Sequence, residues 1–369
     1  MARRRVRYTR MKILLLCWRD MSHPQGGGSE AYIERVGEYL ARQGHDVVLR
    51  TAAYTDAPRR SVKNGVRIER SGGKYGVYLL APLAAWRHRP DVIVDTQNGI
   101  PFFARLYSRA ETVLLTHHSH LRQWPVAGPF IGRLGSFLER RVAPRVYRGA
   151  QYVTVSDASR EDLIALGVRD ADIAVVHNGV DPVPQVVPYL PDDGLTHLVT
   201  LSRLVPHKRI EQAIDVVREL DGVVLDVLGS GWWEDELRTY AAGLEGRVIF
   251  HGHVSDEYKH AVLSRASLHL MPSVKEGWGI AVIEAAQHGV PTVGYVEAGG
   301  LSDSIVDGVT GRLAGSRQQF REIIEHLLDD APERDRLGAG ALEWAQRFSW
   351  EETGRRFAEV LAHVKRPSP

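Results

Sequence analysis

Cysteine is nearly absent: of 369 residues, only Cys17 is one. A lone cysteine closes no intrachain disulfide, so an oxidising compartment is not required and a cytoplasmic location is expected. Long apolar runs are missing too. The stretch from Tyr75 to Trp86 is twelve residues and contains Pro82, well short of the roughly 18–20 that cross a bilayer. Near the start, ILLLCW offers six apolar residues before Arg19-Asp20, below the ~7–15 of a secretory h-region, so a cleaved leader is not expected. There is little net charge of either sign. The balance is +2, and Arg3, Arg4, Arg5, Arg7 and Arg10 crowd into the first ten residues. The remainder is slightly acidic, which excludes a general nucleic-acid binder. The basic arm carries one expectation of its own, peripheral contact with the inner face of a membrane.

At about 100–200 residues per domain the length allows two, and 44% apolar with 25% charged residues is ordinary for globular chains. Short β-rich runs alternate with helical stretches: 11–18, 46–52, 91–97, 112–118, 151–157 and 173–179. Runs apolar on both faces indicate parallel strands buried between helices. The segment VDPVPQVVPYLPDDG (180–194) carries four prolines and no periodicity, and reads as a linker. The pattern then restarts at 197–203, 223–231, 247–253, 268–273 and 291–296. The expected architecture is α/β, with two doubly wound, Rossmann-like domains. We place the first at 1–187 and the second at 188–349. The amphipathic end, 350–369, forms a helix from the spacing of Trp350, Phe357, Val360 and Leu361.

Three clusters carry chemistry. Gly26-Gly27-Gly28 precedes Ser29-Glu30-Ala31 and a periodic helix, so the letters satisfy G-x-G-x-x-A. The context does not: that fingerprint sits directly in the strand-to-helix turn, and the next strand here ends in Arg50-Thr51. We read Gly27 and Gly28 as a loop whose bare backbone approaches an anion at a helix start. In LSRLVPHKRI, Arg203 ends a strand and Lys208 follows five residues later, which suits a diphosphate, the guanidinium as a fork and the ammonium as a point charge. The third cluster is KEGWGIAVIEAAQHGVP. Glu276 stands in a loop with Gly277, Trp278 and Gly279, Ile280 begins a helix, and Glu284 falls just over one turn into it. Helix amides can meet phosphate oxygens there, and a carboxylate beside phosphates is tolerable where it accepts hydrogen bonds from sugar or ribose hydroxyls.

The order of these elements, with SDASREDL, HNGVD, VLGSG, HGHVS and the closing FSW, resembles the GT-B-fold retaining glycosyltransferases of family 4 over nearly the whole chain. The resemblance implies two domains facing across a cleft, with the last helix crossing back onto the first. It assigns Glu276 to the donor sugar's hydroxyls, Glu284 to the ribose, Arg203 and Lys208 to the diphosphate, and the backbone at Gly279 and Ile280 to its support. Val254 would lie near the base. His117 in THHSH is the best match to the family's cleft histidine, with His118 the alternative one residue along. The implied activity is transfer of a hexose from a UDP- or GDP-linked sugar to a hydroxyl of a glycan, glycolipid or small acceptor, with retention, the leaving phosphate taking the acceptor's proton. Where the family usually has phenylalanine or tyrosine this chain has Trp278, expected to alter the sugar pocket and leave the function intact.

No cofactor or metal is expected. Adjacent imidazoles at a strand end point to opposite faces, so of His117, His118 and His120 only the last two share one, and no nearby thiol or carboxylate completes a set. The D-x-D of Asp170-Ala171-Asp172 precedes a strand in a polar turn. Two alternatives stay open: a GT-B sugar-nucleotide epimerase, and a non-catalytic nucleotide-sugar-binding homologue.

Overall fold

The computed structural model describes residues 10–24, 26–121, 124 and 128–364, so the basic arm through residue 9 lies outside it. Two units emerge. One combines the residues up to Gly179 with those from Trp350 onward, and the other runs from Val180 to Ser349. The division precedes the expected boundary at 187 because Val180 bridges to Ser349 and the Asp181 carbonyl accepts from Gln287, both in the second unit.

The first unit holds β1 (Lys12–Leu16), β2 (Asp46–Thr51), β3 (Arg60–Lys63), β4 (Val66–Arg70), β5 (Val92–Gln97), β6 (Glu111–Thr116), β7 (Gln151–Thr154) and β8 (Ile173–Val175), ordered β3-β4-β2-β1-β5-β6-β7-β8. All pairs are parallel except β3 with β4. Its helices are α1 (Gly28–Arg42), α2 (Gly73–His88), α3 (Pro129–Phe137), α4 (Ala143–Val146) and α5 (Asp157–Ala165), with one π turn, Leu138–Val142, joining α3 to α4. Alternation along β1 feeds two layers. Leu14 and Leu16 pack with Val77, Ala81, Ala84 and Ala85 of α2. Leu15 faces α1, where Gly37 is needed for close approach: a Cβ there would stand 2.9 Å from Leu15 Cδ1.

The β3–β4 hairpin went unread, although its turn, Asn64-Gly65, takes φ of 47° and 85°, the left-handed pair that such two-residue hairpins favour.

The second unit contains β9 (Thr196–Leu201), β10 (Val223–Leu228), β11 (Val248–Gly252), β12 (Leu268–Met271), β13 (Thr292–Tyr295) and β14 (Gly311–Ala314), all parallel, ordered β11-β10-β9-β12-β13-β14. The expected strands are present, and β14, only four residues long, is the addition. Helices α6 (Ile210–Glu219), α7 (Glu234–Tyr240), α8 (Asp256–Arg265), α9 (Ile280–Ala286), α10 (Leu301–Ser304), α11 (Arg317–Asp329) and α12 (Ala331–Ala345) complete it. Leu198, Leu225, Val227 and Leu270 pack against α6 and α11, whereas Val199 and Leu228 face Val262, Leu263 and Ala285 of α8 and α9. Both faces are covered, as a parallel sheet requires.

The last helix, α13 (Trp350–Val364), belongs to the first unit. Gly354 meets α1 so closely that a Cβ would lie 2.2 Å from Tyr39 Cγ, and Trp350 and Phe357 set their rings edge-on to Tyr32. Among the described residues no helix is long and apolar enough to cross a membrane.

Candidate functional site

In the second sheet the strand order reverses between β9 and β12, and in open parallel sheets ligands bind beyond the carboxyl ends of the strands at such a point. The loops leaving those two strands carry Arg203 with Lys208, and Glu276. Backbone ties them together, Val274 N–H donating to His207 O at 2.9 Å. Neighbouring glycines make the close approach possible: Gly229 has φ +119° and a Cβ on it would stand 2.0 Å from Ser202 O, while one on Gly231 would stand 2.1 Å from Leu204 O. The VLGSG run is therefore the bed on which the cationic loop lies.

Lys208 Nζ donates to Glu276 Oε1 at 2.5 Å, with 13% and 11% of the two side chains exposed. Burial pushes the Glu276 carboxyl up, but the Lys208 ammonium and its hydrogen bond outweigh it, holding the group below its ordinary range. Glu276 is thus an anion at neutral pH. Its loop is pinned from below: Glu276 N–H donates to Ala298 O, Gly300 N–H donates to Glu276 O, and a Cβ on Gly300 would stand 2.3 Å from Gly277 O. Gly279, at φ +100°, then opens α9 at Ile280. Arg203 is exposed and has no carboxylate partner among the described residues.

Glu284 accepts from Lys259 Nζ at 2.7 Å. Burial lowers the Lys259 pKa and the carboxylates of Glu284 and Asp256 more than restore it, leaving it raised. Sequence reasoning missed Lys259. Its signal was a lone lysine in DEYKHAV of α8, and nothing local links that helix to α9. Val254, between β11 and α8, is half-buried against the α8-side core.

Trp278 corrects an expectation. Its indole is 1% exposed and meets Phe348 edge to face at 4.8 Å between centroids, so its bulk fills the packing under the loop and does not shape a sugar pocket.

In the first unit, His117 follows β6 and is buried. Its ring stands edge-on to Tyr32 at 5.2 Å, its carbonyl accepts from Ser159 Oγ, and neither ring nitrogen has a partner among the described residues. Burial first, and His120 second, lower its pKa to about 3. The imidazole is neutral, with one donor and one acceptor to offer a ligand. His118 and His120 stack at 4.4 Å. Glu139, also missed from sequence, organises this loop from the π turn, accepting from His120 N–H at 2.8 Å and Trp124 Nε1–H at 2.6 Å. Burial raises its pKa.

At the glycine loop the second correction concerns Gly27 alone. Gly27 caps α1 and its N–H donates to Glu30 Oε2 at 3.0 Å, while Glu30 Oε1 accepts from Arg19. A carboxylate of the chain thus takes the place expected of a ligand anion at the Gly27 amide. Gly28 is the first residue of α1.

The chain matches the family model described as glycosyl transferases group 1 over residues 188–344, and that of Glycosyltransferase Family 4 over 26–183. It is 25% identical to the glycogen synthase of Mycobacterium tuberculosis, covering 96% of this chain and 95% of that protein. Among solved structures it superposes on a sucrose-phosphate synthase from Thermosynechococcus elongatus with a TM-score of 0.80 at 19% identity, covering 96% of this chain and 99% of that one. It superposes on Anabaena Alr3699/HepE, solved in complex with UDP-glucose, with a TM-score of 0.76 at 21% identity, covering 96% and 100%. Two family models laid end to end over two Rossmann-like units, with cations and carboxylates gathered at the switch point of the second, lead to one conclusion: the chain belongs to the group 1, family 4 glycosyltransferases of GT-B fold, enzymes that use nucleotide-sugar donors.

Proposed function

We propose that this enzyme moves a hexose from a UDP- or GDP-linked sugar to a hydroxyl of a glycan, glycolipid or small acceptor, with retention at the anomeric carbon and without a resident metal. The observation that carries the reading is the buried Lys208–Glu276 pair at the switch point, with exposed Arg203 on the same strand end. Glycosidic bond cleavage leaves growing negative charge on the diphosphate. Lys208 and Arg203 are fixed cations that meet this charge where it develops, the role a metal fills in other transferases. Glu276, ionised and held by Lys208, accepts hydrogen bonds from sugar hydroxyls. Glu284 accepts from the ribose while Lys259 neutralises it, and Val254 lies beside the base. Support from the amides of Gly279 and Ile280 belongs to the same reading. His117, uncharged at pH 7, positions the sugar with one ring nitrogen that donates and one that accepts. The leaving phosphate takes the acceptor's proton on the same face, and the product's anomeric configuration, read by NMR, checks retention.

Glu276→Ala is expected to lower turnover by about 10²- to 10³-fold while free nucleoside diphosphate binds as tightly as before, since the clamp remains and Lys208 loses a competing carboxylate. Collapse of nucleotide affinity in a folded variant would instead move Glu276 into the diphosphate site. Turnover should also persist in excess EDTA; loss that manganese restores would overturn the metal-free reading.

A further inference from the structure

Apolar side chains on the first unit gather on two helices that the chemistry above does not use. On α2, Tyr75, Leu79, Leu83 and Trp86 are all more than half exposed, Leu79 at 80%. At 100° per residue they fall within an arc of about 80°. The opposite side of the same helix is the buried row Val77, Ala81, Ala84 and Ala85, so α2 is apolar all round although none of the described residues covers its outer side. On α3, Phe130, Ile131, Leu134 and Phe137 repeat the pattern, Phe130 at 86%. The two helices flank one loop. Tyr78 of α2 donates to Ile100 O, and Trp124 fills the space between Gly99 and Gly135 of α3.

Single exposed apolar residues need no explanation, but paired stripes of this size mark a binding surface. Charge indicates what binds. Residues 71–90 contain no Asp or Glu, and exposed Lys74, Arg87 and Arg89 stand at the ends of the α2 stripe. Between 128 and 148 the sole acid is buried Glu139, against exposed Arg133, Arg140, Arg141, Arg145 and Arg148. A second copy docked face to face would set these cations against themselves. An interface rich in anionic headgroups satisfies both features, with rings and leucines entering the acyl boundary and cations reaching the phosphates.

We infer that α2 and α3 form a membrane-docking face that seats the first unit on an anionic lipid bilayer. The face is separate from the arginine arm and does not depend on which sugar is transferred.

The test uses the full chain in co-sedimentation with vesicles of phosphatidylcholine alone, or with about one third phosphatidylglycerol. Three proteins are compared: wild type, a triple variant Leu79→Gln, Leu83→Gln, Trp86→Gln, and a second, Phe130→Gln, Ile131→Gln, Leu134→Gln. Wild type should bind the anionic vesicles at least about tenfold more tightly, and each triple variant should lose about tenfold or more of that binding. The melting temperature and uridine or guanosine diphosphate binding should stay unchanged, which separates docking from folding and from the donor site. Deleting residues 2–10 should leave the effect of both triple variants in place. Brominated acyl chains should quench wild type more than Trp86→Phe. Equal vesicle binding by wild type and both variants would overturn the inference, as would a solution dimer that the variants dissociate, which would assign the face to a second copy. Dependence on the arm alone would overturn it too.

Discussion

Lys208→Ala is expected to reduce the single-turnover rate at saturating donor by about 30- to 1,000-fold, the loss of ~2–4 kcal/mol of transition-state stabilisation. Free nucleoside should bind almost as before. The asymmetry follows from where charge appears: the diphosphate gains negative charge as the glycosidic bond breaks, so contact with a fixed cation strengthens toward the transition state. The structure adds a second component. Lys208 is the partner that holds buried Glu276 ionised, so its removal lets burial raise that carboxyl, and the variant's rate should fall further as pH drops through the new Glu276 pKa. Lys208→Arg keeps the charge but not the compact ammonium and should recover only part of the rate. Arg203→Ala should act in the same direction with a smaller loss, because Arg203 is exposed and screened by solvent. Rates within about threefold of wild type for both alanine variants, at most ~0.7 kcal/mol, would remove the diphosphate clamp.

The largest stability effect is expected far from the chemistry, at Asp226 on β10. This carboxylate is fully buried; His197 Nδ1 and His251 Nε2 each lie 2.7 Å away, and Arg265 Nη2 is 3.2 Å from Oδ1. Burial opposes its ionisation, yet the hydrogen bonds from His197 and His251 hold it well below the usual carboxylate range. His197 is raised, chiefly by its hydrogen bond to Asp226. Asp226→Ala removes the buried acceptor shared by His197, His251 and Arg265, leaving Asp193 as the remaining carboxylate beside His197 and Arg265, and should destabilise the second unit by about 3–5 kcal/mol, read as faster hydrogen exchange across β9, β10 and β11.

The pH dependence has two edges. A depressed carboxyl contributes stability above its unfolded value near 3.9, lost as pH falls toward the folded one. A raised histidine contributes fully below about 6.5, and the contribution is lost as pH rises through its folded value. The stability gap between wild type and Asp226→Asn should therefore be widest between about pH 4 and 6.5 and narrow on both sides. A gap flat from pH 3 to 9 would show that the network contributes packing alone.

Much of the fold was legible because burial leaves a local record. ILLL, VVLDVL and LHLM place apolar residues on both faces, as a covered parallel strand requires, and each lies in a strand. Where that record was weak the reading failed: β3 carries four mostly exposed residues, RSVK, and its Asn-Gly turn was the stronger signal. The Glu276–Glu284 loop could be read because glycine and proline punctuate it. The orientation of Trp278 could not, since an aromatic residue in a glycine loop suits a pocket or a core equally well until Phe348 is seen beneath it.

The sequence by itself determined the alternation of strand and helix, the two-unit plan and the residue types able to hold a diphosphate and a sugar, because periodicity, turn chemistry and charge act over a few residues. Only the tertiary structure decided which of those residues meet. Lys208 and Glu276 are 68 positions apart, Lys259 finds Glu284 on another helix, and the Gly27 amide is taken by Glu30. The reason is physical: strand order brings loops together at the switch point, and a buried charge must then find its partner among whatever that order places within about 3 Å.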